Sequence, residues 1–453
     1  MSNIKKTLSL AFPVILGQLG FTLLGFIDNV MVGKLGAPAL AAISLSNSFI
    51  FIGFAIGIGF SIMIAPMVSK ALGENNKNEI SALFYNGLIL CTTLGFILSS
   101  LVWCSKFIIT NTNQTKEVVD LAIPYLEIVS VSLIPSMIFQ AFKQFIDGLS
   151  KTKYPMYCII IANLINVILN YILIFGLFGF PSLGILGAGI GTLISRIIML
   201  LLMLLFTWKI KSIKEQIKKP TIRFSNWSQI HSVTKTGLFS SIQILFKISL
   251  FSSAIILSGL IGENAQAANQ IILNLSALLF VVPLGIGTAS SIRISKMLGA
   301  KKKSKINHVS LAAFKIIITL EVLVFFLLIL LKNILPTIYI NDINVIELAS
   351  NSIILLGLFH IFDGIEVILL GLLKAFNDTK IPALFCFISY WVIGFTISVL
   401  LYKEYELTGI WIGLIFGVFF SSFLLFFRYL YLYKGLLKPK NALKENRTAY
   451  TNI

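Results

Sequence analysis

The sequence predicts an all-α polytopic membrane protein with twelve transmembrane helices, and its composition is the first observation behind that prediction. Of 453 residues, 57% are hydrophobic and only 12% are charged, and the mean hydropathy is +0.93. A soluble protein of this length needs far more charge to cover its surface. Apolar runs of roughly 20 residues or more recur along the chain, and that length matches the roughly 30 Å hydrocarbon core of a bilayer.

The distribution of basic residues is the second observation. Apolar segments are predicted at 8–32, 40–69, 81–105, 118–146, 154–180, 186–208, 233–260, 266–296, 308–331, 344–373, 381–402 and 408–433. Threaded alternately through a membrane, they place 28 of the 36 Lys and Arg residues on one side and five on the other. The positive-inside rule then puts both termini in the cytoplasm, in a multi-pass protein of the inner (cytoplasmic) membrane. The net charge of +18 is accordingly attributed to topology and to contacts with lipid headgroups, not to nucleic acid.

An internal repeat is the third observation. Residues 30–73 and 256–299 align without a gap and share eleven identities in 44 positions, ending on the same Ser-Lys-x-Leu-Gly motif. Both copies begin on the same side of the membrane, so we expect two six-helix lobes related by a pseudo-two-fold axis along the membrane normal. The predicted domains are an N-lobe at 1–208, a cytoplasmic linker at 209–232, a C-lobe at 233–435 and a cytoplasmic basic tail at 436–453.

Residue patterns typical of enzymes and nucleotide-driven pumps are missing from the sequence. The four cysteines stand alone and the three histidines are far apart, so neither a disulfide framework nor a metal cluster is expected. No Gly-rich phosphate loop followed by Lys and Ser or Thr is present. We therefore expect no catalytic residues and no cofactor, and any uphill transport must draw its energy from an ion gradient.

Asp28 is the main ionisable candidate of the first half, because a charge at the bilayer centre costs about 2.5–3.5 kcal/mol even on the milder scales. It follows Pro13 by fifteen residues in one segment, and proline allows a helix to bend. Asp28 is either a titrating switch on a bendable helix or a cap at the outer end of that helix. Asn166 and Asn170 lie one turn apart in segment 5, where they either line a polar path or bond neighbouring helices.

Asp363 and Glu366 are the corresponding candidates of the second half. They are three residues apart and therefore share one face of segment 10. Two carboxylates on one face bind a cation or share a proton. The alternative is an internal salt bridge to a base on another helix, for which Lys247 in segment 7 is the obvious partner.

Several motifs together resemble the multidrug and toxic compound extrusion (MATE) family, specifically its NorM-like branch, over nearly the whole chain. The resemblance rests on Pro13 and on residues 26–33 (FIDNVMVG), 147–153 (DGLSKTK), 166–170 (NVILN), 268–274 (ANQIILN), 283–287 (PLGIG) and 363–379 (DGIEVILLGLLKAFNDT). It implies a cation-coupled antiporter in which protons or sodium ions enter as organic cations leave. It also implies ion-coupling roles for Asp28, Asn166, Asn170 and Asp363.

Lys247 departs from the pattern of that branch, which carries a glutamate in segment 7 at the matching position. A sodium site built from two carboxylates loses its affinity when one of them becomes an ammonium. We therefore expect Lys247 to pair with Asp363, and with Glu366, as a tethered cation. Proton coupling through Asp28 is then favoured over sodium coupling.

The predicted function is thus a secondary active multidrug exporter that works by alternating access, with organic cations, protons and membrane lipids as partners and a monomeric state. The alternative is a flippase or exporter of lipid-linked oligosaccharides from the same superfamily. That alternative needs a basic cavity to hold a pyrophosphate, whereas only three bases lie well inside segments, away from their ends: Arg196, Lys247 and Lys315.

Overall fold

The chain folds into long apolar helices, as the composition predicts. The structure, a computed structural model, describes residues 3–111, 114–217 and 227–437. Eleven helical stretches of the described residues are long and apolar enough to cross a membrane, and the last of them, Lys380–Leu437, has 58 residues. Glu406 divides that stretch, because its φ of 50° and ψ of −130° lie outside the helical region. The described residues therefore form twelve spans, in agreement with the sequence.

We number these spans in chain order. They are α1 (Asn3–Gly33), α2 (Ala37–Gly73), α3 (Lys77–Ile109), α4 (Lys116–Gly148), α5 (Lys153–Phe175), α6 (Ile185–Lys209), α7 (Trp227–Ile261), α8 (Glu263–Gly299), α9 (Lys303–Leu331), α10 (Ile343–Ala375), α11 (380–405) and α12 (407–437).

Most helices are longer than the apolar segments that predicted them. The reason is that hydropathy marks only the part of a helix that crosses hydrocarbon, whereas backbone hydrogen bonding continues into the polar interface. Helix α7 begins at Trp227, within the stretch predicted as linker, and α12 continues to Leu437. The predicted linker residues 218–226 and tail residues 438–453 lie outside the described residues. Three spans are also interrupted: α3 at Ser105, where its predicted segment ends, α2 at Ile62 and Met63, and α4 at Ser132. Hydropathy did not predict the interruptions of α2 and α4.

The twelve helices form two groups of six. Within the first group, α5 packs on α6, α3 on α4 and α1 on α5; within the second, α10 packs on α8, α9 and α12. Two large hydrophobic clusters draw on the first six helices with a contribution from Val233 of α7, and two others draw on the last six with a contribution from α1. The groups meet where α1 packs on α8 and where α2 packs on α7 and α8. The exact lobe limits stay a prediction.

Close packing of α1 on α5 positions the first candidate acid. Helix α1 is helical through Pro13, and two glycines follow on the face turned toward α5. A Cβ at Gly20 would lie 2.8 Å from Nδ2 of Asn163, and one at Gly17 would lie 3.1 Å from Cδ1 of Ile159. Because glycine has no Cβ, it leaves room for this close approach. About two turns beyond Gly20, the same approach places Asp28 against α5.

Candidate functional site

Asp28 lies inside the first group of helices. Its side chain is almost entirely shielded from solvent, with 8% of the residue exposed. The Oδ1 atom accepts a hydrogen bond of 2.7 Å from Nδ2 of Asn170 on α5. A cap at a helix end in the interface would instead bond to its own backbone, so this contact between helices favours the buried-carboxylate interpretation.

The two asparagines of α5 continue the contact from Asp28 toward α6. Nδ2 of Asn170 also donates to Oδ1 of Asn166 at 3.1 Å. Nδ2 of Asn166 in turn donates to Oγ of Ser195 at 3.2 Å and lies 3.5 Å from Oγ1 of Thr192. Asp28, Asn166 and Asn170 thus form one connected polar path, of which the two asparagines are fully buried. The family resemblance grouped these three residues; the sequence did not identify Ser195 or Thr192.

A partly buried base faces the same path. Arg196 of α6 lies within electrostatic reach of Asp28 and of Tyr125. Its Nη1 atom donates to Oγ of Ser132 at 2.5 Å, and its guanidinium lies over the ring of Phe54 at 5.3 Å from the centroid. The sequence showed that Arg196 lies within a span, but not that it turns toward Asp28.

In the second group, Lys247 of α7 contacts two acids of α10. Its Nζ atom bonds to Oδ1 of Asp363 and lies 3.7 Å from Oε2 of Glu366. The side chain of Lys247 is 14% exposed, and those of Asp363 and Glu366 are 1% and 0% exposed. The ring of Phe280 covers the ammonium at 4.6 Å from its centroid. Attraction between such groups is strong because water is excluded from around them.

Glu366 has further partners that the sequence did not reveal. Its Oε1 atom accepts hydrogen bonds from the hydroxyl of Tyr390 on α11 and from that of Ser421 on α12. Tyr390 belongs to a π-helical segment, Ile388–Phe395, and π-helical turns occur often at functional sites. The partners are 24 and 55 residues away in the chain. Hydroxyls are common in apolar helices, so no local pattern singles these two out.

The structure therefore assembles two separate clusters from the residues selected by sequence. Asp28, Asn166 and Asn170 form one in the first six helices, and Lys247, Asp363 and Glu366 form the other in the last six. Pro13 lies on the same helix as Asp28, four turns earlier, and belongs to neither cluster. Among the described residues, no group of three or more His, Cys, Asp and Glu side chains could hold a metal ion.

The chain is similar in sequence to one protein family and to named multidrug resistance proteins. The family model MatE matches residues 13–172 and 240–400. The "Probable multidrug resistance protein NorM" of Mannheimia succiniciproducens is 28% identical over 431 residues, covering 94% of this chain and 93% of that protein. The "Multidrug resistance protein MdtK" of Edwardsiella ictaluri is 28% identical over 421 residues, covering 91% of this chain and 92% of that protein.

Solved structures share the fold. The crystal structure of the eukaryotic MATE transporter AtDTX14 superposes with a TM-score of 0.86 at 20% identity, covering 94% of this chain and 95% of that one. An outward-facing multidrug resistance MATE family transporter of the MOP superfamily superposes with a TM-score of 0.87 at 20% identity, covering 97% and 98%. These relatives are described as transporters, not as enzymes. Because the family model covers most of both helix groups, the chain belongs to the MatE family of membrane transporters.

Proposed function

We propose that this protein is a secondary active exporter that exchanges organic cations for protons by alternating access. The relatives named as multidrug resistance proteins support a broad range of organic substrates. A bundle built from two repeated halves supports alternating access, because rocking of one half against the other opens a central site to each side in turn.

The observation that carries the choice of coupling residue is the position of Asp28. A carboxylate with 8% exposure is stable in a membrane only when it is paired, hydrated through a cavity or protonated. Its one described hydrogen bond is to a neutral amide, that of Asn170. Binding or release of a proton at Asp28 therefore changes the charge of the first six helices. This change shifts the equilibrium between the two conformations of alternating access.

The ion pair in the second half supports protons over sodium. Asp363 already holds an ammonium, that of Lys247, at the place where a mobile cation would bind. A sodium ion would have to displace Lys247 and leave that ammonium buried without a partner, which costs several kcal/mol. The coupling cation is therefore assigned to Asp28, supported by Asn166 and Asn170.

The proposal includes the orientation of the protein in the membrane. The excess of basic residues at one side supports cytoplasmic termini in the inner membrane, with lipid headgroups around the basic ends. The two lobes are assigned to residues 1–208 and 233–435. Each lobe carries one of the two clusters, so a single chain holds a complete set of candidate sites, and a monomer is sufficient for function.

Ethidium transport into proteoliposomes tests the proposal, with either a pH gradient or a sodium gradient as the driving force. We expect the wild-type protein to respond to the pH gradient, and Asp28→Asn to abolish that response. Asp120→Asn is the matched control, because Asp120 is an exposed acid of α4. Sodium-driven transport that survives Asp28→Asn would contradict the proposal.

A further inference from the structure

Glu366 is a buried acid that the proposed mechanism leaves unused. It lies on α10 with 0% exposure, one turn beyond Asp363, and so adds a second carboxyl to a single lysine. One ammonium balances one carboxylate. The cluster of Lys247, Asp363 and Glu366 therefore carries one negative charge in excess when both acids are ionised, and such an excess is costly away from water.

The two oxygens of Glu366 have different surroundings. Oε1 accepts from the hydroxyls of Tyr390 and Ser421, and the thiol of Cys386 lies 4.0 Å from it. Oε2 is buried and has no hydrogen-bond partner, although Nζ of Lys247 is only 3.7 Å away. Hydroxyl donors on one oxygen fix the orientation of the carboxyl group. They leave the other oxygen directed at Lys247 as an unfilled acceptor.

Lys247 is suited to reach that acceptor. Its ammonium carries three donors on a flexible four-carbon stem, and it is bonded to Asp363 while it lies 3.7 Å from Glu366. A displacement of about 1 Å converts the longer contact into a hydrogen bond, since N–H···O bonds have lengths of about 2.7–3.2 Å. Rotation about the stem is sufficient for such a displacement, without movement of either backbone.

We propose that Glu366 is the second counter-ion of Lys247, a positioning residue that receives the ammonium whenever Asp363 binds a proton. The added proton resides on Asp363, and Lys247 keeps all three of its own. Loss of charge at Asp363 removes its hold on the ammonium, and Glu366 then provides the only adjacent negative charge of the cluster. Lys247 thereby keeps a counter-ion in both charge states of Asp363.

Other charged and titratable groups surround this cluster. Glu321 of α9 packs on Gly364, where a Cβ would lie 3.1 Å from its Oε1. His360 precedes Asp363 on α10, with Nε2 bonded to Ser276 at 3.1 Å. Lys374 of α10 and two residues of α11, Cys386 and Tyr390, also lie within electrostatic reach. Glu321 and His360 interact with Asp363, whereas Glu366 contacts Lys247 directly, so Glu366 is the acid in position to receive the ammonium.

The π-helical segment links this exchange to the surface between the halves. Tyr390 bonds to Glu366, while the next residue, Trp391, donates to Oγ of Ser249 on α7 at 3.2 Å. Trp391, Ser249 and Phe246 line an apolar pocket of about 410 Å³ that also includes Ile52 of α2. Tyr390, which bonds to Glu366, is thus the sequence neighbour of Trp391 in the pocket wall. Movement of Lys247 between its two acids therefore occurs beside a pocket that the two halves share.

An experimental structure of Asp363→Asn tests the exchange directly, because the amide mimics a protonated acid. We expect Nζ of Lys247 within about 3 Å of Oε2 of Glu366. A lysine that stays on residue 363, or that turns away from both acids, would overturn the proposal. If Asp363→Asn does not fold, a structure of the wild-type protein at low pH provides the same comparison.

A transport assay adds a functional readout and rests on the antiport proposed above. We expect Glu366→Gln to lower ethidium transport about tenfold and to flatten its pH profile, since Lys247 then has no second partner when Asp363 is protonated. Glu366→Asp should recover part of the profile. Glu347→Gln, at an exposed acid of the same helix, is the control.

The outcomes of that assay are separable. A lower rate with an unchanged pH profile would reduce Glu366 to a structural role and overturn the proposal. Failure of the proposed antiport would appear instead in the wild-type protein, as transport that ignores the pH gradient. The position of Lys247 in the Asp363→Asn structure would still decide the exchange.

Discussion

Gly73 of α2 and Gly299 of α8, the last residues of the two repeat copies, pack against each other's helices. A Cβ at Gly73 would lie 2.2 Å from the carbonyl oxygen of Lys296, and one at Gly299 would lie 2.0 Å from that of Lys70. The repeated motif therefore packs against its own second copy, at the end of the bundle where basic residues concentrate. This crossing joins the two halves at that end of the bundle.

Alanine at either glycine of the crossing should destabilise this conformation. The added methyl group meets a backbone carbonyl, which cannot move aside as a flexible side chain can, so we expect a loss of about 1–3 kcal/mol from overpacking. Thermal unfolding in detergent would register the loss for Gly73→Ala and Gly299→Ala. Gly435→Ala is the control, since nothing lies within 4 Å of its added Cβ. Equal melting temperatures for all three variants would contradict the tight crossing.

The helices were predictable from the sequence because burial in hydrocarbon demands long apolar runs, whatever their neighbours are. The same reasoning could not detect the interruption of α2 at Ile62 and Met63, or that of α4 at Ser132, because both pieces of each span remain apolar. Likewise the π-helical segment of α11 depends on hydrogen bonding, which hydropathy does not record.

The candidate clusters were predictable to the extent that charge is rare in a membrane. Charged residues stand out in an apolar segment, as Asp28, Lys247 and Asp363 do. A base in one span and an acid in another are then expected to pair. Tyr390 and Ser421 do not stand out, since their hydroxyls resemble many others in the chain. Their role depends on how α11 and α12 pack on α10, which only the three-dimensional structure provides.

Gly191→Ala should impair transport although it substitutes none of the candidate residues. Gly191 of α6 lies against the side chain of Asn170, and an added Cβ would be 2.1 Å from its Oδ1. Asn170 must then shift, and its hydrogen bond to Asp28 is lost. We expect about tenfold less pH-driven ethidium transport, because hydrogen bonds to charged groups contribute about 1.5–3 kcal/mol. The measurement is the initial rate in proteoliposomes. Gly25→Ala on α1, whose Cβ meets nothing within 4 Å, should transport normally.

The pair formed by Lys247 and Asp363 should behave as a unit in stability. Lys247→Met alone leaves two buried carboxyl groups without their cation, and we expect a loss of about 3–5 kcal/mol. Adding Asp363→Leu removes one of those carboxyls and should recover much of the loss. Melting temperatures of both single variants and of the double variant would measure the coupling. Strictly additive losses would show that the two side chains do not depend on each other.

The repeated serines of the crossing provide a matched comparison within one protein. Oγ of Ser69 donates to the carbonyl oxygen of Ile292 at 2.7 Å, whereas Oγ of Ser295 is buried without a partner. Ser69→Ala should therefore cost about 1 kcal/mol, the net contribution of a typical hydrogen bond. Ser295→Ala removes an unsatisfied buried hydroxyl and should be neutral or slightly stabilising. Thermal unfolding of the two variants would show whether the duplicated motif has specialised, and equal losses would indicate that its two copies still act alike.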